Sequence, residues 1–373
     1  MSLSIQQVIQ LMEEIAPKKL AQDWDNVGLQ IGSYSQRVNK VLVTLDVNQK
    51  IMSEAAEKDV DLIISHHPVI FNSLSQVRFD TEIGNLVQTA VEEEISIYVA
   101  HTNYDIAQGG LNDQLSSKLG LTDLQVLKTT FEDELKKLVV FLPQENLEEV
   151  REAIIKQEVG WIGNYRDCTF AAEGVGTFRP LAGTDPYCGQ QDQLEKADEV
   201  RLETILPESK VSQVLNKLES VHPYEEIAYD LYSVEATGEQ LGLGRVGNLK
   251  RSLEFDKFVT QVKEALELDR VRTVKPDNSE IKRIAVCSGS GADLIRPAVF
   301  KGADLLVTGD IKYHDAELAS EMGLGIIDAG HYGTEVIMQE GLVESLMAKI
   351  KQNGLEEIEI ISTNRNKDFI TIV

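Results

Sequence analysis

The chain has 373 residues, 42% hydrophobic and 26% charged, which is long for one compact domain and comfortable for two. Its 61 acidic against 36 basic residues give a net charge of −25 with no basic stripe, so nucleic acid is not an expected partner. No run approaches the roughly 20 apolar residues of a membrane span, and the three scattered cysteines, Cys168, Cys188 and Cys287, suit a reducing cytoplasm better than a disulfide framework.

The opening Met1-Ser2-Leu3-Ser4-Ile5 has neither the basic segment nor the apolar stretch of a secretory signal. Apolar residues at Ile5, Val8, Ile9, Leu11, Met12 and Ile15 recur at helical spacing. With Ser4 as N-cap and Gln7 three residues on, they predict a helix over residues 4–20 with Pro17 near its end. Residues 24–32, with two glycines, read as a turn feeding a strand, where Asp25 and Asn26 are candidates to line a pocket. A strand over 40–46, a helix capped by Asn48 or Asp46 and running through Lys58, and a strand over 60–64 make a βαβ unit. The second strand runs into Ser65-His66-His67-Pro68, and this chain has only six histidines. A helix over 81–94 and a strand over 95–100 follow, ending in His101-Thr102-Asn103-Tyr104-Asp105; Gly109-Gly110 then opens a helix over 111–119.

The stretch 129–244 breaks this pattern. Strands at 138–143, 168–180, 200–207 and 227–234, with helices at 147–157 and 209–220, give the β-α-β-β-α-β order of a ferredoxin-like unit. Such a module often self-associates through sheet edges and is a candidate oligomerisation piece. The glycine-rich return path, 238–247, resembles a GxGxxG fingerprint only superficially, since no strand leads into it and no helix follows at once.

Residues 40–64 then align without gaps onto 283–307, an offset of 243; downstream the offset contracts to 230, and His101 falls on His331 and Asp105 on Glu335. The reading is therefore α/β: a duplicated α/β/α core of two similar lobes, residues 1–128 and 245–373, sharing a cleft, with an inserted α+β domain at 129–244. The counterpart of His66-His67 is Gly309-Asp310, so the lobes have diverged.

Strand ends of a parallel sheet lie side by side, so His66, His67, Asp105, His331 and Glu335 can converge on one cleft. Imidazole and carboxylate without thiolate suit two divalent ions, Zn, Mn, Fe or Ni, better than a closed structural zinc. Successive histidines on an extended chain point to opposite sides and would serve two adjacent ions, with a carboxylate such as Asp105 between them; paired ions of this kind activate water. His101 has two readings, as a ligand by the repeat or as a hydrogen-bond partner and proton shuttle. Tyr104 is a candidate to stack on a substrate ring. His314 is expected to be structural or to support the site, and His222 to lie in a turn.

Trp24-Asp25-Asn26-Val27-Gly28-Leu29, Ser65-His66-His67-Pro68, His101-Thr102-Asn103-Tyr104-Asp105 and Gly330-His331-Tyr332-Gly333-Thr334-Glu335 resemble the family of GTP cyclohydrolase I type 2 homologues, the YqfO-like proteins. The resemblance covers essentially the whole chain. It implies a duplicated α/β fold, a homohexameric ring, a dinuclear metal centre facing an internal cavity, and an insert similar to PII/CutA modules. It also implies that His66, His67, Asp105, His331 and Glu335 match the family's ligands. The expected function is a metal-dependent hydrolase of a nucleotide or related heterocycle; the alternative is a non-catalytic metal-binding scaffold whose insert senses a small-molecule ligand.

Overall fold

The computed structural model describes residues 3–355 and 358–371 and has a mixed α/β fold. Two compact units form, one from residues 1–131 with 241–373 and the other from Glu132–Gln240.

In the first unit, helix α1 (Ile5–Ile15) starts at the Ser4–Gln7 capping box and ends at Ile15, with Ala16 as its C-cap, five residues short of the 4–20 expectation. Pro17 breaks the pattern, and Lys18–Leu20 make only a 3-10 turn. Strand β1 (Gly28–Ile31) is followed by β2 (Lys40–Thr44), α2 (Gln49–Glu57), β3 (Leu62–Ser65), α3 (Glu82–Glu92), β4 (Ser96–Val99), α4 (Thr102–Ile106), α5 (Leu111–Lys118) and β5 (Thr122–Glu132). Strands β2, β3 and β4 are parallel, and β1 runs antiparallel on β4. A parallel sheet covered on both faces needs apolar residues at every position, and Val41-Leu42-Val43 and Leu62-Ile63-Ile64 supply them. Alternation then sorts them: Leu42 and Ile63 pack on Ile51, Met52 and Leu86 of α2 and α3, while Val41, Val43 and Ile64 pack on Val8 and Met12 of α1. Asn48, whose Oδ1 accepts the Lys50 and Ile51 amides, caps α2; Asp46 is thereby left for another use.

The second unit runs β6 (Leu135–Pro143), α6 (Leu147–Ile155), β7 (Thr169–Phe178), β8 (Glu195–Pro207), α7 (Val211–Val221) and β9 (Tyr229–Ser233). These strands form one antiparallel sheet in the order β9-β6-β8-β7. Leu138, Val140, Leu142, Leu202 and Leu206 on one face bury Val150, Ile154, Val214 and Leu218 of the two helices.

Back in the first unit come β10 (Gln240–Glu254), α8 (Phe255–Ala265), β11 (Arg272–Val274), β12 (Glu280–Ser290), α9 (Ile295–Phe300), β13 (Leu305–Gly309), α10 (Tyr313–Glu321), β14 (Gly325–Asp328), α11 (His331–Glu335), α12 (Met338–Gln352) and β15 (Glu359–Ser362). The glycine-rich 238–247 stretch thus lies largely in a strand and is no phosphate loop. Sheet order is β11-β14-β13-β12-β10-β5, with β12, β13 and β14 parallel; β15 completes the first sheet beside β2.

The same hydrogen bonds recur 243 residues apart. Asp61 Oδ2 accepts the Asn39 and Lys40 amides at 2.7 and 2.9 Å, and Asp304 Oδ2 accepts those of Lys282 and Arg283 at 2.8 and 2.9 Å. Lys40 Nζ donates to the Lys58 carbonyl and Arg283 Nε to that of Lys301. Among the described residues, no helix is long and apolar enough to cross a membrane.

Candidate metal centre

The polar cluster gathers where the parallel strands of both sheets end. Asp46 follows β2, His66 and His67 follow β3, and His101 and Asp105 stand at and inside α4 after β4. From the other sheet, Asp310 follows β13, and Gly330, at φ +79°, turns β14 into α11, which carries His331 and Glu335 four residues apart on one face.

Glu335 is 3% exposed and lies at the centre. Its Oε2 is 2.9 Å from His67 Nε2 and 3.0 Å from His331 Nε2, which are themselves 3.3 Å apart. Its Oε1 is 3.8 Å from His66 Nε2, and Asp105 Oδ1 is 3.7 Å from the same nitrogen. A Cβ on Gly289, at φ +59°, would fall 2.2 Å from Glu335 Oε1, so glycine there makes room for the carboxylate.

Each of the four clustered imidazoles has its Nδ1 bound to an oxygen: Ala100 O for His66 (2.9 Å), Asp46 for His67 (2.8 Å), Asp25 for His101 (2.9 Å) and Asp310 for His331 (2.8 Å). Carbonyl and carboxylate oxygens only accept, so each Nδ1 carries the proton and Nε2 is left for a ligand. Among the described residues, two groups place their ligand atoms within 4.8 Å of one another and could hold a cation: His66, His67 and His101; and His67, His331 and Glu335.

Several expectations change. The two histidines do not diverge to opposite faces: the chain bends after Ser65, whose hydroxyl donates to the His67 carbonyl, and both rings, 5.3 Å apart, turn toward Glu335. Strand alternation does not extend through a bend. Glu335, not Asp105, offers one oxygen to each side; Asp105 stays beside His66 and accepts the Ser288 hydroxyl at 2.9 Å. Tyr104 is fully buried with Gln114 donating to its hydroxyl, so it presents no ring to a substrate. Asp25 is also spent, holding His101 and the Thr102 amide, and acts as a positioning group. His314 lies exposed on α10 beside Glu317, apart from the cluster. His222 bridges the Phe141 carbonyl and the Tyr224 amide, as a turn histidine does.

Sequence reasoning missed Asp46, Asp310 and Arg245. The repeat could have found Asp310, which sits over His67 and supports His331 instead of joining the ligand set. Arg245, 3% exposed, pairs with Asp113 at 2.6 Å and donates to the Ile106 and Ala107 carbonyls, fixing the end of α4 that carries Asp105. An isolated arginine in a glycine-rich stretch carries no signal for that.

Residues 3–368 match the family model described as Duf34/NIF3 (NGG1p interacting factor 3). The chain belongs to the DUF34/NIF3 family. Among curated relatives it is 45% identical over 367 residues to the "GTP cyclohydrolase 1 type 2 homolog" of Bacillus subtilis, covering 98% of each chain. The protein of the same name from Halalkalibacterium halodurans is 41% identical over 368 residues, 99% of this chain and 98% of that one. A Bacillus cereus protein related to NIF3, solved by crystallography, is 40% identical, with a TM-score of 0.93 over 100% of both chains.

In this DUF34/NIF3 chain the donor set fits a divalent ion. His66 Nε2 is buried without a hydrogen-bond partner, a costly state for a polar atom unless a ligand completes it. The electrostatics agree. Burial works against the Glu335 charge, but the surrounding imidazoles outweigh it and hold the carboxyl well below its usual range. Burial likewise opposes a charge on His67, and the Asp46 and Glu335 carboxylates overcome it, raising that imidazole to about 10. The Glu335 hydrogen bond is the main force raising His331 to about 9. His66 is also raised, burial being outweighed by Asp105 and Glu335, while burial pushes Asp105 up. Without a cation, protons stand in for its charge.

Proposed function

We propose that this chain holds two divalent ions in one cleft and hydrolyses a nucleotide or a related heterocycle. The observation that carries the reading is the shared tautomer. Four imidazoles commit Nδ1 to an acceptor and aim Nε2 at one side of the cleft, and His66 Nε2 is buried and unsatisfied there. His66, Asp105 and one Glu335 oxygen would hold one ion; His67, His331 and the other Glu335 oxygen would hold the second. Imidazole and carboxylate donors suit Zn, Mn, Fe or Ni. Ions held so act as Lewis acids and bring the pKa of water toward about 7. His101, oriented by Asp25, would take and return a proton at Nε2. Trp24, exposed and edge-on to His101 at 5.9 Å, and Phe71, 6.0 Å from Trp24, offer an apolar wall for a planar ring.

The architecture belongs to the same proposal. Two lobes, 1–128 and 245–373, derive from a duplication, supported by the 243-residue offset and the recurring Asp61 and Asp304 bonds. The insert, 129–244, is ferredoxin-like and similar to PII/CutA modules, supported by its strand order. A homohexamer is the assembly that the family resemblance supports, and the free Cys168, Cys188 and Cys287 support a reducing cytoplasm.

Elemental analysis of protein purified without added metal is the first test; unchanged metal content in His66→Ala and Glu335→Ala would remove the centre from the reading. Incubation with GTP is the second, since the relatives' name makes GTP the first substrate to try. No formate with Zn, Mn, Fe or Ni would sink the GTP version. A cavity in the second unit favours the alternative, a metal-binding hexameric scaffold with a ligand-sensing insert; that reading expects metal without turnover.

A further inference from the structure

The second unit carries an open-sided cavity of about 480 Å³ that the metal chemistry does not use. Its floor is the sheet face opposite α6 and α7. Val140 and Leu142 face those helices, so alternation turns Phe141 to the other side; Leu202 does the same for Glu199 on β8. The Glu199 carboxylate lies across Gly176 of β7, where a Cβ would fall 2.0 Å from Oε2. Any other residue there would push the carboxylate aside. The rings of Tyr187 and Tyr224, 5.7 Å apart and tilted by 49°, line the wall, and Phe178 adds a further ring. The Tyr224 hydroxyl donates to Glu199 Oε1 at 2.9 Å, which holds the carboxylate in place and leaves Oε2 over Gly176.

The remaining charged lining groups are Arg179, Glu225 and Glu226. Arg179 is turned to Asp192, and Glu225 accepts the Asp185 amide at 3.0 Å. Three carboxylates against one guanidinium leave the lining negative, and aromatic faces add to the attraction for positive charge. An anion would meet repulsion and find its only guanidinium already paired. We propose that this cavity binds an organic cation, a positively charged nitrogen group on an apolar or aromatic body. The site rests on neither the metal centre nor the hydrolase reading; it gives the insert of the alternative reading a ligand class.

The test uses the full chain and calorimetric titration with benzamidine, choline and benzoate. Benzamidine and choline separate a flat amidinium from a compact alkylammonium, and benzoate has the shape of benzamidine with the opposite charge. Binding of at least one cation in preference to benzoate is expected. Glu199→Gln keeps an acceptor for Tyr224 and removes the charge, and should weaken cation binding at least tenfold. Leu181→Lys places a positive charge on the lining at a residue 65% exposed, where folding tolerates it, and should weaken it comparably. An unchanged far-ultraviolet spectrum and unchanged denaturant unfolding in both variants check folding, and protein treated with chelator should bind the cation as well as untreated protein does. Equal binding of benzoate, no binding of either cation at millimolar concentration, or unchanged binding in both variants overturns the proposal.

Discussion

Loading the metal-free chain with a divalent ion should release protons, and the number follows from the cleft. His67 titrates at about 10 and His331 at about 9, both above the ordinary 6.5 of histidine. Both therefore hold a proton at pH 7 when no cation is present. A cation takes only the unprotonated imidazole. Each pH unit below a ligand's pKa weakens binding by about a factor of ten per displaced proton. At pH 7 the deficit is about three decades for His67 and about two for His331, and solvent screening of the partly exposed His331 trims the second. Affinity should therefore rise by about 100-fold from pH 7 to pH 8 and level off above about 10. The sign for stability is opposite. Raised imidazoles stabilise the metal-free fold fully below pH 6.5, and that contribution is lost as pH rises through 9 to 10. Calorimetric titration in buffers of different ionisation enthalpy counts the protons. Fewer than one released per chain at pH 7 would refute the reasoning.

Four further outcomes follow. Asp310→Ala removes the acceptor that orients His331 and should weaken metal binding by about 10–100-fold, measured by competition with a chelator, with the far-ultraviolet spectrum unchanged. Glu335→Gln should return His67 and His331 toward ordinary histidine values in the metal-free chain, as NMR titration of the imidazoles would register; unmoved values would contradict the central role of that carboxylate. Arg245→Ala leaves Asp113 with the Gly109 amide alone and removes the donor to the Ile106 and Ala107 carbonyls, and should cost about 3 kcal/mol in denaturant unfolding. Tyr104→Phe should lose about 1 kcal/mol with the Gln114 bond and leave metal and substrate affinity unchanged; a raised KM would restore the stacking role.

How much was legible in the sequence depends on whether the determinant was local. Runs such as Val41-Leu42-Val43 and Leu62-Ile63-Ile64 announce strands because burial on both faces demands continuous apolar residues. Ser4 with Gln7 and the Asn48 cap set helix starts by bonds within three residues. The motifs ending in His66-His67, Asp105 and His331-x-x-x-Glu335 were equally visible, because chemistry concentrates where parallel strands end.

Orientation was a different matter. Residues 21 to 268 positions apart in sequence decide which way each ring faces: Asp46 for His67, Asp25 for His101, Asp310 for His331, and Glu335 between both sides. Tyr104 and Asp105 are neighbours in one motif, yet one is sealed in the core and the other stands beside His66. Sequence alone determined which histidines and carboxylates collect at which strand ends. Only the tertiary structure decided that Glu335 puts one oxygen toward each side of the cluster, that the Asp25 carboxylate is turned to His101 and the Thr102 amide, and that His66 Nε2 is left without a partner. The physical reason is that hydrogen bonds between distant segments fix tautomers and side-chain directions, and no local pattern records them.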